Sequence, residues 1–131
     1  MTASAITVEV AAGELLDKIT ILEIKEAKFA DAAKLANVRA ELATLRAARD
    51  ANLPATPEID RAVEGLRAVN RQLWEIEDEI REHERAQDFG ARFIDLARAV
   101  YKSNDRRAAL KREINELTGS RLREEKSYAA Y

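Results

Sequence analysis

Residues 59–83 read IDRAVEGLRAVNRQLWEIEDEIREH. Apolar side chains recur through Ile59, Ala62, Leu66, Val69, Leu73, Ile76 and Ile80 to His83, in alternating steps of three and four. That rhythm describes an α-helix with one buried seam, long enough to lie along a partner helix. Its start is signalled by Thr56 as N-cap, Pro57 as first helical residue and Glu58 at the positive helix end. QDFGA breaks the seam near residue 86, and a further helix is expected over 91–118. Phe93, Leu96, Val100, Leu110, Ile114 and Leu117 share one side of it, and Gly119 supplies the stop. So short a break makes the two helices antiparallel neighbours.

The same pattern repeats upstream. Leu35, Val38, Leu42 and Leu45 mark a helix over 33–51, with Asp31 as its N-cap and ANLPATPEID as the interruption after it. Gly13 opens a first helix over 13–30. Before it, ITVEV alternates Ile6, Val8 and Val10, which suggests a short strand. No later segment offers that strand a partner, so it pairs with its copy in another subunit or lies extended over the core. The tail SRLREEKSYAAY reads as a short turn of helix and then an extended end. The expected fold is all-α: two antiparallel α-hairpins forming a four-helix bundle-like domain over 1–131, with a short extended N-terminal segment.

The composition agrees with long helices. Of 131 residues, 47% are hydrophobic and 35% charged, with four glycines and two prolines. There is no cysteine, which excludes disulfides and thiolate metal sites. MTASAITVEV lacks the charged start and apolar core of a secretion signal, and no apolar run has the ~18 residues of a membrane span. A soluble, cytoplasmic protein with no membrane partner is expected. The net charge is −2. Residues 98–126 carry nine bases and five acids, but residues 75–88 carry seven acids and two bases on the neighbouring helix. The two stretches largely cancel, so no nucleic-acid partner is expected.

At about 100° per residue, each charge can be assigned a side. Glu75, Asp78, Glu79 and Glu82 fall opposite the seam of their helix, on a solvated face rather than around a metal. No metal or cofactor is expected. The last helix is different. In VYKSNDRRAALKREIN, Ser103, Asn104, Arg107 and Lys111 share the side of Leu96, Val100, Leu110 and Ile114. Either the two long side chains snorkel to an edge, or a polar layer lies inside the bundle and must be paired. Antiparallel pairing brings Asn70 to the level of Asn104 and Arg107. On the first helix, GELLDKITILEIKEAKF, Leu15, Ile19, Leu22 and Phe29 form the main face with Glu26 among them. Ile21 and Ile24 lie nearly opposite, beside Asp17 and Lys28. A helix apolar on two sides is covered on two sides, by its own bundle and by another chain, which predicts a homodimer. Asp17 and Glu26 are the natural counter-charges for Arg107 and Lys111; the competing reading of Glu26 is a surface ion pair. His83, the one histidine, reads as packed and hydrogen-bonded, and Trp74 as packing. No phosphate loop, nucleophile elbow or His-rich metal spacing is present.

GELLDKITILEIK, KLANVRAEL, VNRQLWEIEDEIR, DFGARFIDLARAVYKSNDRRAALKREIN and GSRLREEKSYAAY together resemble a family of small helical bacterial proteins, a domain of unknown function. The resemblance covers nearly the whole chain from Val8 onward; Ala12 stands where the family commonly has proline. It implies a helical fold and no established activity. Motif residues that coincide with the polar layer are Asp17, Lys18, Asn104, Asp105 and Arg107.

With no catalytic signature, the leading expectation is a non-catalytic interaction or assembly protein, a homodimer that also takes a protein partner. The alternative is a binding protein or enzyme for a small anionic ligand, such as a sugar phosphate or nucleotide. Its site would be the layer formed by Asp17, Lys18, Glu26, Asn70, Asn104, Arg107 and Lys111.

Overall fold

The computed structural model describes residues 4–131 and consists of four helices. These are α1 (Ala12–Lys28), α2 (Ala32–Asn52), α3 (Pro57–Arg85) and α4 (Ala91–Thr118). Each begins and ends within two residues of its expected position. The caps are those written in the sequence: Asp31 accepts from Lys34 N at 2.8 Å, and Thr56 Oγ1 accepts from Ile59 N at 3.2 Å. Gly119 ends α4 in the left-handed region at φ 65°, while Ser120 N donates back to Asn115 O at 2.9 Å. No described helix is long and apolar enough to cross a membrane.

Short connections run successive helices antiparallel, as a bundle in which α1 is the shared element. α1 packs against α2, α3 and α4, α3 packs along α4, and the backbone of α2 approaches α1 alone. The core joins Leu16, Ile19 and Leu22 of α1, Val38 and Leu42 of α2, Ile59, Leu66 and Val69 of α3, and Ile114 of α4. This explains the two apolar sides of α1. One faces α2 and the other faces the α3–α4 hairpin, where Ile24 is buried within the chain itself. The sequence argument for a covering second chain is therefore met, at Ile24, by this chain's own helices.

Two local expectations fail. Residues 4–11 form no strand, and Ile6, Val8 and Val10 are 92%, 69% and 51% exposed. A strand needs a ladder partner, and every long segment after it is helical. The tail forms no helical turn either. It folds back along α4, with Glu124 on Lys111, Glu125 on Arg112 and the Tyr131 ring 5.1 Å from that of Tyr101. Arg121 of the tail is ion-paired with Glu9, which ties the two ends together. Side chains reaching α4 outcompete the single turn that an isolated tail could form.

Candidate functional site

Where α1 crosses α4, the two backbones nearly touch. A Cβ on Gly13 would stand 2.4 Å from the carbonyl oxygen of Lys111, so only glycine allows this approach. Ala11 provides no cap for α1; Asn115 of α4 does so instead, its Oδ1 accepting from Gly13 N at 2.8 Å. The crossing fixes the level at which the next turn of α1 meets α4, and that turn carries Asp17.

Asp17 is 1% exposed and is the hub of the polar layer. Arg107 donates to it twice, from Nε to Oδ1 at 2.8 Å and from Nη2 to Oδ2 at 2.5 Å. Asn70 of α3 donates through Nδ2 to Asp17 Oδ1 and to Thr20 Oγ1, each at 2.9 Å. Thr20 in turn donates to the Asp17 carbonyl at 2.7 Å. Three helices thus meet on one carboxylate, and the bidentate fork is the geometry that makes such a pair tolerable in the interior. The hydrogen-bonded Asp17 carboxylate holds the Arg107 guanidinium above its ordinary pKa.

One turn further along α4, Lys111 is 8% exposed at its side chain and lies between Glu14 at 2.7 Å and Glu124 at 2.8 Å. Burial works against its ammonium, but the hydrogen bonds to Glu124 and Glu14 outweigh it and raise the lysine's pKa. The bond to Lys111 keeps the Glu124 carboxyl below the usual range.

Asp17, Asn70 and Arg107 are therefore brought together, with Asn104 on the same α4 face at the rim of a neighbouring groove. Lys111 turns inward as well, onto partners other than Asp17 and Glu26. Two candidates lie elsewhere. Glu26 points toward α2 and is 3.5 Å from Arg39 at the surface; Lys18 likewise pairs with Glu41 of α2 at 3.0 Å. Both fall on the side of α1 that α2 covers, so they cannot reach α4. Thr20 and Asn115 were legible one turn from Asp17 and Lys111. Glu124 was not, because nothing periodic in the tail says which way it folds. His83 is packed as expected, but its Nδ1 makes no hydrogen bond and lies 3.4 Å from Asp88 outside bonding geometry. Trp74 packs on Phe29 with ring centroids 6.2 Å apart.

The acids Glu77, Glu79 and Glu82 of α3 pair with Arg81, Arg92 and Arg85 on the outer surface. Among the described residues, no group of three or more acids or histidines could hold a metal.

The groove beside the layer has a volume of about 510 Å³. Ile21 and Ile24 of α1 and Leu73 and Trp74 of α3 line its apolar part; Asn70, Asn104 and Arg107 stand at one end, and Glu77, Asp78 and Arg81 at the other.

Over residues 6–131 the chain matches a family of unknown function, DUF6165, and it belongs to that family. No curated protein and no solved structure matches it.

Proposed function

We propose that this member of the family is a cytoplasmic, non-catalytic interaction or assembly protein that works as a homodimer and engages a protein partner. The observation that carries this reading is the mutual saturation of the inward charges. Both oxygens of Asp17 are engaged by Arg107, and Lys111 is held by two carboxylates. A general base or a phosphate-binding arginine must be free for substrate; these groups hold the helices together instead. Asp17 also balances the Arg107 charge, which weighs against an anionic ligand there.

The apolar side chains left in water support the assembly half of the reading. Ile6, Val8 and Val10 alternate along an extended segment whose backbone has no ladder partner among the described residues. Two copies of such a segment can pair about a twofold axis, each satisfying the other. Ile24, buried within the chain, is a poor place to test the interface; the segment is a better one. Sedimentation velocity at micromolar concentration should give a dimer for the wild type and a monomer for the Ile6→Asp, Val8→Asp variant. A monomeric wild type would overturn the homodimer.

A further inference from the structure

We infer that the groove between α1 and the α3–α4 hairpin is a binding site for an uncharged small molecule, one with a flat apolar body and a primary-amide-like edge. Its volume of about 510 Å³ falls within the usual size of ligand sites. Ile21, Leu73 and Trp74 supply a wall for the apolar body.

The polar end decides the chemistry of the edge. Asn70 is 5% exposed, and its Nδ2 is committed to Asp17 and Thr20. That commitment fixes the amide's orientation, because Thr20 Oγ1 gives its own proton to the Asp17 carbonyl and must accept from Asn70. The remaining atom, Asn70 Oδ1, has no donor among the described residues and belongs to a side chain lining the groove. That oxygen keeps contact with solvent in the groove, and a ligand N–H would take the place of water there. Beside it, the Asn104 side chain has no hydrogen-bond partner among the described residues, and Arg107 has spent only Nε and one Nη2 proton on Asp17. The end therefore offers one fixed acceptor next to donors. A carboxamide, with an N–H beside a C=O, answers both.

Charge selects against an anion. The Arg107 charge is balanced by Asp17, while the far end carries Glu77 and Asp78 against Arg81 alone. A carboxylate ligand would face Asn70 Oδ1 with a second acceptor, and no unbalanced cation at that end would compensate it. This separates the groove from an anion site built on Arg107.

Trp74 is the one tryptophan in the chain, so its fluorescence reports on this groove. Benzamide, benzoate and benzamidinium share one ring and differ in charge and hydrogen-bonding edge. Titrated against the full chain, benzamide should change the emission saturably, with a Kd on the order of a millimolar for so small a probe. Benzoate and benzamidinium should bind at least about tenfold more weakly, since each leaves one polar partner unmatched. Asn104→Ala should weaken benzamide about fivefold or more, roughly the loss of one hydrogen bond, and leave the denaturation midpoint unchanged. The proposal is overturned if benzamide gives no saturable change. It is equally overturned if either charged analogue binds as tightly, or if Asn104→Ala binds benzamide as the wild type does.

Discussion

Asp17 shows what a single buried charge demands. Arg107 keeps 29% of its side chain in contact with solvent while its fork reaches a carboxylate that has almost none, so the two partners are unequal. Removing Arg107 strands an interior anion; Arg107→Ala should cost about 3–5 kcal/mol in a denaturant titration. The double change Asp17→Leu, Arg107→Met removes both charges and should recover most of that loss, which a linear sum of the single effects would not allow. Lys18 is the control. It pairs with Glu41 in water, and Lys18→Ala should move stability by no more than about 0.5 kcal/mol. Helical periodicity put Asn104, Arg107 and Lys111 on the apolar side of α4, but left open whether the two long side chains snorkel to an edge. It could not assign their partners, because Glu26 and Asp17 are both acids on α1 and only the position of α2 separates them.

At the scale of elements, the start of α1 is fixed by α4. Alanine exceeds glycine in helix propensity by about 1 kcal/mol, so an isolated α1 would gain from Gly13→Ala. In the protein the new methyl would collide with the Lys111 carbonyl, and the helices would have to separate. Overpacking of that kind costs about 1–3 kcal/mol, so a net loss of stability is expected by thermal or chemical unfolding. The tail is held differently, by ionisable groups. Glu124, with its pKa depressed, stabilises docking above its ordinary value of 4.5, and the contribution is lost as pH falls through the lower folded value. Lys111, with its pKa raised, contributes fully below its ordinary value of 10.5 and loses that contribution as pH climbs through the higher folded value. Tail amide resonances should therefore hold steady between those limits and shift at the acid end, and Glu124→Gln should shrink that acid-side transition to the part carried by the Glu9–Arg121 pair.

Across the whole molecule, the four helices are unequally supported. α3 and α4 run along each other and both touch α1, whereas α2 leans on α1 and buries only Val38 and Leu42 fully. Amides of α2 should therefore exchange with solvent faster than those in the centre of α3, by about tenfold or more, under native conditions. Equal protection throughout the chain would mean that α2 opens only with the whole bundle.

The type and limits of the four helices were legible because they rest on local physics. Seam spacing, Asp31, Thr56 with Pro57, and Gly119 each act within a turn or two of chain, and tertiary packing had only to agree with them. That the polar residues of α4 share its apolar side was legible for the same reason, since a helix carries its own 100° rotation wherever it packs. What tertiary structure alone decided was which surfaces meet. It buried Ile24 of α1 against helices of the same chain, put Glu26 and Lys18 under α2, laid Glu124 on Lys111, and left Ile6, Val8 and Val10 uncovered. Each of those outcomes depends on contacts between residues distant in the chain. Such contacts follow from the direction and crossing of packed helices, which no single segment encodes.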